Sequence, residues 1–286
     1  ECELLFFKGN DFWTERWRRG SIPIRWKTTL SSKIASPKHT VDKDYFKGTC
    51  EYFRDLTNRY GIGTMIRCVS LLNSESEHAE SELKNFFKEA LNRLFDNGID
   101  NVYLVPFDLN HHLHEDGSGE AMMDFLSFIS PLCEGDGFTY GTLPCTITES
   151  QKGIMRFNCA DSLDRTNLAT FYYAMKCCKD FLKMVHTGLT STPDADPNQP
   201  NLIIDQSVID FLAEVFVDCG NIISQLYTNT PAIKTNAIKR FSPSIVVGSS
   251  DTNISMQRRL QNVVNDPIRQ KLIEMWTNPG PLSWYH

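Results

Sequence analysis

Apolar residues recur along the chain with two different spacings, and together these predict alternating strands and helices. Short apolar runs predict buried strands over residues 65–72, 101–107 and 153–158. Apolar positions three and four residues apart predict helices over residues 45–60, 77–97, 121–129, 166–184 and 205–227. Because a strand, a helix and a second strand follow one another, the pattern favours an α/β fold with a central, mostly parallel sheet flanked by helices.

Three segments hold apolar side chains that are expected to face the core. In the helix over residues 77–97 these are Leu83, Phe86, Phe87, Ala90, Leu91, Leu94 and Phe95. In the helix over residues 205–227 they are Val208, Phe211, Leu212, Val215 and Phe216. Near the start of the chain Trp13, Trp17 and Trp26 alternate with arginines, and we expect core packing for them rather than nucleic-acid binding.

Composition narrows the possible functions. The 286 residues are 41% hydrophobic and 22% charged, as in an ordinary globular protein, and the net charge is −6. An acidic chain has no overall field that attracts nucleic acid or an anionic membrane, so membrane attraction would need a local basic patch. The nine cysteines are scattered and form no C-x-x-C pair, which favours a reducing cytosol over a disulfide framework or a zinc site.

The segment GIMRFNCADSLDRTNLAT, residues 153–170, is the strongest candidate for chemistry. Five residues separate Cys159 from Arg165, with Thr166 next, and the segment lies between a predicted strand and a predicted helix. A strand, a tight loop and a helix start can gather backbone N–H groups around one tetrahedral anion, and Arg165 can add a bidentate fork. The pKa of Cys159 is then expected to be lowered, so that its thiolate attacks phosphorus and forms a phosphocysteine. The Cys–Arg spacing alone is common by chance.

This segment resembles the signature R-x-N-C-x-D-x-x-D-R-T-N of the Sac phosphoinositide phosphatases. The matching residues are Arg156, Asn158, Cys159, Asp161, Asp164, Arg165, Thr166 and Asn167, and Ser162 stands where most members have a second cysteine. Myotubularins share a similar loop, C-x-D-x-x-D-R-T. The likeness to the Sac family extends further, from residue 19 to residue 276. Its other blocks are RGSIPIRW at residues 19–26, the set Gly220, Ser224, Tyr227, Thr230, Ala232 and Lys234, and the set Arg259, Asn262, Asp266, Arg269 and Gln270.

The resemblance implies a Sac-type catalytic domain over residues 1–286, without the family's N-terminal regulatory lobe and with a flexible connector near residues 187–201. It implies a phosphatase without metal or other cofactor that acts on the inositol ring of a phosphoinositide lipid at a membrane surface. The protein would be cytoplasmic and peripheral to membranes, with no nucleic acid as partner.

The resemblance also assigns roles within the site. Cys159 is the nucleophile, and Arg165 holds the phosphate. The leaving oxygen needs a proton, for which Asp164 is preferred and Asp161 is the alternative. Further residues expected to bind phosphate or substrate are Ala160, Ser162, Leu163, Thr166, Asn167, Lys234, Lys239, Arg240 and His111.

Three points stay open at this stage. A protein phosphatase with the same loop and an inactive phosphoinositide-binding module are the alternative functions. The segment DLNHHLH, residues 108–114, holds three histidines but lacks a metal-binding helix motif, so we expect a solvated loop there. The sequence leaves the ring position of the cleaved phosphate undetermined.

Overall fold

A computed structural model describes residues 1–29, 38–73, 80–115, 117–144, 146–187, 203–242, 252–258 and 271. The strands are β1 (Cys2–Lys8), β2 (Asp11–Gly20), β3 (Trp26–Thr29), β4 (Lys38–Val41), β5 (Met65–Ser70), β6 (Val102–Pro106), β7 (Thr139–Thr142), β8 (Thr146–Glu149) and β9 (Gly153–Asn158). The helices are α1 (Thr49–Tyr60), α2 (Ser81–Asp96), α3 (Leu109–Glu115), α4 (Gly117–Ile129), α5 (Asp164–Thr187), α6 (Gln206–Thr228) and α7 (Thr235–Lys239). Residues 252–258 are also helical.

A seven-stranded mixed sheet forms the centre of the fold, in the order β6-β5-β9-β2-β7-β8 with β1 also paired to β2. Neighbouring strands are parallel within the run β6-β5-β9-β2, whereas β1 and β7 are antiparallel to β2, and β8 is antiparallel to β7. The predicted fold class, α/β with a mostly parallel central sheet, is therefore confirmed. The antiparallel part was not predicted, because its short strands lack a distinctive apolar run.

The parallel strands end side by side. Gly20 of β2 and Ser70 of β5 both align with Asn158 of β9, and Pro106 of β6 aligns with Ser70. The carboxyl ends of four strands thus share one edge, where α/β proteins commonly bind their ligands. All six residues of β9 are buried, as the apolar run predicts.

The core lies on both faces of the sheet. On one face Ile66 of β5 packs with Phe53 of α1 and Phe87 of α2. On the other face Phe157 of β9 packs in a cluster that also holds Phe125 of α4. Trp13 and Trp17 are buried in the long strand β2, as expected, and Trp26 is partly buried.

Some local predictions are wrong. Residues 109–115 form helix α3 rather than a solvated loop, because Leu109 is fully buried and Leu113, one helical turn later, packs against the core. Strand β6 is not buried throughout, since it lies at the end of the sheet order and Tyr103 is 48% exposed. Phe95 is 70% exposed, one position past the stripe that ends at Leu94.

Helix α6 buries fewer of its apolar side chains than the predicted stripe would require. Leu212 and Phe216 are buried against the core, but Val208, Phe211 and Val215 are exposed. These three lie about 60–120° around the helix from the midpoint of the buried pair, so the predicted stripe is wider than the contact face. No helix in the described ranges is long and apolar enough to cross a bilayer.

Other predictions fall outside the described residues. The connector at residues 187–201 does so except for its first residue, and so do Arg259, Asn262, Asp266, Arg269 and Gln270. The assignment of residues 1–286 to one catalytic domain stays a prediction.

Candidate active site

The Cys-x5-Arg segment joins β9 to α5 at the carboxyl edge of the sheet. Strand β9 ends at Asn158 and helix α5 begins at Asp164, so residues 159–163 form a short loop. Ser162 has a φ of 60°, a left-handed conformation that lets the loop turn within five residues. Helix α5 starts two residues earlier than predicted, which places Asp164 and Arg165 in its first turn.

Cys159 is fully buried at the start of this loop. Its sulfur lies 3.2 Å from Asp161 Oδ1 and accepts a hydrogen bond from Thr166 Oγ1 at 3.1 Å. The same hydroxyl oxygen accepts a hydrogen bond from the Cys159 backbone N–H at 3.1 Å. Thr166 therefore ties both the backbone and the sulfur of Cys159 to helix α5.

The expected lowering of the Cys159 pKa is wrong for this conformation. Burial and the neighbouring Asp161 carboxylate raise the pKa of Cys159 to about 11, although Arg165 and Thr166 act to lower it. Desolvation disfavours the thiolate, and a negative neighbour adds to that effect. At neutral pH the sulfur is therefore a neutral thiol, whose nearest base is Asp161.

Arg165 is held by Glu80, a residue that the sequence reasoning missed. Both carboxylate oxygens of Glu80 accept from Arg165, one of them at 2.8 Å, and the Leu71 carbonyl accepts at 3.0 Å. Glu80 is only 5% exposed and also accepts from the Asn73 backbone N–H at 3.0 Å. This pairing fixes the guanidinium at the loop. Glu80 looked like an ordinary acidic residue near a helix start, so nothing in its local sequence distinguished it.

The two aspartates of the loop have different surroundings. Asp161 is exposed, and its Oδ1 accepts from the Leu163 backbone N–H at 3.0 Å as well as contacting the sulfur. Asp164 Oδ1 accepts from the Ile233 N–H at 2.5 Å, and its Oδ2 accepts from Arg258 at 2.5 Å. Burial raises the pKa of Asp164, and Arg258 acts against that rise.

The loop is braced from behind by strand β2. Arg19 donates to the Ser162 carbonyl at 2.7 Å, to the Leu163 carbonyl at 3.1 Å and to Asn167 Oδ1 at 2.9 Å. The Ser21 hydroxyl donates to the Ala160 carbonyl at 2.6 Å. The carbonyls of Ala160, Ser162 and Leu163 thus face the protein.

Asn167 is part of this brace. Its amide nitrogen donates to the Phe216 carbonyl at 2.8 Å, while its amide oxygen accepts from Arg19. Because both ends of this buried amide are bonded to protein, the structure places Asn167 behind the loop rather than in the pocket.

A cavity of about 200 Å³ opens in front of the loop. Its lining residues are Glu80, Asn110, Asp161, Asp164, Arg165, Ile233 and Lys234. Lys234 lies here as predicted, with a left-handed φ of 65°.

Three other predicted binding residues do not line this cavity. Lys239 and Arg240 lie at the end of α7, outside the lining set. His111 is exposed on α3, and its neighbour Asn110 lines the cavity instead. Successive helical residues point about 100° apart, so α3 cannot present both side chains to the same place. The binding roles of Lys239, Arg240 and His111 stay predictions.

Within the described ranges, no three His, Cys, Asp or Glu side chains are grouped as a metal ion would require. His112 of α3 has other contacts: its ring stacks on Phe107, and its Nδ1 lies 3.0 Å from Asp124 Oδ2. Catalysis without metal stays a prediction.

Comparison with known proteins shows a family likeness in the first part of the chain. Residues 1–114 match the family model of the SacI homology domain. The resemblance predicted from the Cys159 loop is thereby confirmed, although that loop lies beyond the matched residues. The matched residues include Arg19, Glu80 and Asn110, which belong to the site.

Relatives align over nearly the whole chain. Polyphosphatidylinositol phosphatase INP53 of Saccharomyces cerevisiae is 26% identical over 96% of this chain and 24% of its own length. Phosphoinositide phosphatase SAC5 of Arabidopsis thaliana is 24% identical over 90% of this chain and 37% of its own length. Synaptojanin of Caenorhabditis elegans is 23% identical over 90% of this chain and 20% of its own length. The chain therefore spans less than two fifths of the length of these relatives.

Arg258 is a second residue that the sequence reasoning missed. The Sac block R-Y-x-x-N places its arginine four positions before the asparagine. With Asn262 as that asparagine, the arginine is Arg258 rather than Arg259. Counting the spacing would have found the residue that reaches Asp164.

Proposed function

We propose that this chain is a phosphoric monoester hydrolase that removes a phosphate from the inositol ring of a phosphoinositide through a phosphocysteine intermediate, without a metal ion. The observation that carries the proposal is the meeting of Cys159, Asp161 and Arg165 in one loop at the edge of a SacI-type sheet. The relatives named as phosphoinositide phosphatases support the substrate class.

The first step needs a thiolate and a proton acceptor. Since the pKa of Cys159 is raised to about 11, the thiol must lose its proton as the reaction begins. Asp161 Oδ1, 3.2 Å from the sulfur, is placed to accept it. The thiolate then attacks phosphorus, and a sulfur–phosphorus bond forms as the bond to the inositol oxygen breaks.

The same proton can complete the step. The departing inositol oxygen is a poor leaving group unless it is protonated, and protonated Asp161 lines the cavity where that oxygen would lie. In the second step Asp161, again a carboxylate, takes a proton from the water that cleaves the sulfur–phosphorus bond. As the sulfur–phosphorus bond breaks, its electron pair stays on sulfur, and the departing thiolate takes that proton back from Asp161, which restores the neutral thiol and the carboxylate.

The contacts of the two aspartates favour Asp161 as the general acid, although the signature pointed first to Asp164. Asp164 has one oxygen bound by Arg258 and the other by the Ile233 N–H, so protonation would cost one of these bonds. Asp164 remains the alternative acid, and its buried position, which raises its pKa, is the observation in its favour.

Arg165 can hold the phosphate without losing Glu80. A guanidinium carries five N–H donors, so its bonds to Glu80 and Leu71 leave capacity for phosphoryl oxygens. Glu80 keeps the fork oriented, and Arg165 neutralises the charge that builds up in the transition state. Thr166 stabilises the sulfur as nucleophile and as leaving group, because its hydroxyl donates to it.

The proposed partner is a phosphoinositide lipid at a membrane surface. Lys234 lines the cavity beside Arg165 and can attract further headgroup phosphates to an otherwise acidic protein. We further propose that the protein is cytoplasmic and peripheral to membranes. The eight described cysteines are free thiols, which fits a reducing compartment.

The test is phosphate release from a panel of soluble phosphoinositides and from phosphopeptides. Wild type should act on the lipids, and Cys159→Ser should abolish turnover because a hydroxyl is a far poorer nucleophile. Acid quenching should trap a phosphoenzyme in wild type only, and EDTA should leave the rate unchanged. Cys219→Ser, at an exposed cysteine on α6, is the matched control and should behave as wild type.

The outcomes separate the alternatives. Turnover of phosphopeptides but not lipids would favour a protein phosphatase. Lipid binding without turnover would favour an inactive binding module. Full activity in Cys159→Ser would exclude the phosphocysteine.

A further inference from the structure

One arginine outside the Cys159 loop joins three separate segments beside the cavity. Arg258 donates to Asp164 Oδ2 at 2.5 Å, to Ser224 Oγ at 2.9 Å and to the Pro231 carbonyl at 3.1 Å. It also lies 3.3 Å from Thr230 Oγ1. Only 12% of its side chain is exposed, and the same holds for Asp164. A buried guanidinium with this many partners fixes the relative positions of the segments it joins.

Two of the three segments belong to the cavity. Asp164 lies in the first turn of α5, next to Arg165, and lines the cavity. The turn after α6, residues 229–234, ends at Lys234, which lines the same cavity. Asp164 Oδ1 accepts from the Ile233 N–H in this turn. Asp164 is therefore bound on one oxygen by the wall that carries Lys234 and on the other by Arg258.

The turn has a constrained conformation that needs such support. Asn229 and Lys234 have positive φ values of 53° and 65°. A non-glycine residue in the left-handed region is strained, and it persists when its neighbours fix it. Arg258 supplies two of the fixing bonds through Thr230 and Pro231. Asn221 Oδ1 supplies another by accepting from the Ala232 N–H at 3.0 Å.

We propose that Arg258 is a positioning residue that acts through Asp164 and the 229–234 turn to hold Lys234 beside Arg165, and so determines recognition of multiply phosphorylated substrates. This proposal rests on the proposed function, which supplies the phosphoinositide substrate that is to be recognised. Arg258 itself does not line the cavity among the described residues, and it takes no part in the proton transfers of Asp161.

The first test compares two substrates. In Arg258→Met, KM for a phosphoinositide should rise on the order of tenfold, the loss expected from one charge-assisted bond. KM for a small aryl phosphate should change little, because that substrate uses Cys159 and Arg165 alone. Arg258→Lys should recover part of the difference. The matched control is Arg59→Met, which breaks an Arg–Asp pair on the exposed face of α1 and should have no effect on either substrate.

The second test shows whether the effect passes through Asp164. Asp164→Asn and Arg258→Met combined should cost less than the sum of the single changes, since both break the same contact. Loss of Arg258 removes a cause that lowers the pKa of Asp164, so the acidic limb of kcat/KM should move to higher pH. That movement should vanish in the double variant. The other charged groups around Asp164 are Asp161, Glu80, Arg165 and Lys234, and they are the same in all variants.

A binding measurement separates this proposal from the proposed function. The Cys159→Ser protein that keeps Arg258 should bind inositol trisphosphate more tightly than inorganic phosphate. The double variant Cys159→Ser with Arg258→Met should lose that preference. Equal loss for both ligands, or kinetics in Arg258→Met that match Arg59→Met, would overturn the positioning role. Thermal unfolding of Arg258→Lys and Arg258→Met shows whether both variants fold. If Arg258→Met does not fold, Arg258→Lys decides, and an unchanged preference in it would also overturn the proposal.

Discussion

Replacing Asp161 with Asn should make the Cys159 thiol more reactive while making the enzyme slower. Asp161 raises the pKa of Cys159 both as a nearby charge and as a hydrogen-bond acceptor 3.2 Å from the sulfur. Asparagine is neutral, so the charge is lost, and its amide oxygen accepts a hydrogen bond more weakly than a carboxylate does. The thiolate therefore becomes easier to form. Turnover should nevertheless fall, because the group that takes up the thiol proton and returns it to the inositol oxygen is gone.

The size of each effect follows from the site. A hydrogen bond to a charged group is worth about 1.5–3 kcal/mol, and the exposure of Asp161 puts it at the lower end. That is about one pKa unit, or roughly tenfold more thiolate at neutral pH. Burial keeps the pKa of Cys159 above its ordinary value. Loss of a general acid lowers the rate about 10²–10⁴-fold. This decrease should be seen with phosphoinositides. It should be small with p-nitrophenyl phosphate, because that leaving group needs no proton.

The assay is alkylation of Cys159 by iodoacetamide, followed by peptide mass spectrometry as a function of pH. A Cys219→Ser background removes the exposed thiol on α6. Asp164→Asn is the matched control, because the Asp164 carboxylate is bound by Arg258 and Ile233 rather than by the sulfur. Alkylation that is unchanged or slower in Asp161→Asn would refute the contact between Asp161 and the thiol. Normal phosphoinositide turnover in that variant would move the acid role to Asp164.

Two further predictions concern the cations of the site. Glu80→Gln should lower the free energy of unfolding by about 3 kcal/mol, because it leaves the buried Arg165 without its ionic partner. Urea titration measures this. Glu82→Gln, at an exposed position of α2, is the control and should change the free energy of unfolding little. Lys234→Met should raise KM for phosphoinositides more than KM for an aryl phosphate, and high salt should mimic it, since exposed charges are screened beyond a Debye length of about 10 Å. Lys239→Met, outside the cavity lining, is the control, and an equal effect there would show that Lys234 has no special role.

Sequence patterns predicted the parts of the fold that periodicity governs. The buried strand β9 and the long helix α5 both appeared as predicted, because each is a regular apolar run with the Cys159 loop between them. Helix α3 was mistaken for a loop because most of its residues are polar. Only two apolar residues, Leu109 and Leu113, connect it to the core. Periodicity shows which residues can be buried, and it does not show how much of a helix meets a neighbour. Phe211 on α6 is exposed for that reason.

The site was predicted where its residues are contiguous and missed where they are not. Cys159 and Arg165 share one loop, so their spacing alone suggests a function. Glu80 and Arg258 reach the loop from 85 residues before Arg165 and 94 residues after Asp164. The spacing of a Sac block could have singled out Arg258, but only tertiary packing reveals Glu80 and shows which side chain each of the two contacts. The predicted pKa of Cys159 failed for a related reason, since burial and Asp161 are properties of the folded neighbourhood.

The alignment of Gly20, Ser70 and Asn158 at one edge of the sheet has a consequence for the order of folding. These residues come from strands far apart in the sequence, and Arg258 adds a fourth distant segment. Contacts between distant segments close large loops, and proteins rich in such contacts fold slowly. Helix α2 can form from local contacts alone, but the Cys159 loop acquires its brace only after the sheet is complete. We therefore expect the Cys159 loop to be among the last parts of the chain to reach its final geometry, so that partly folded chains lack the assembled cavity.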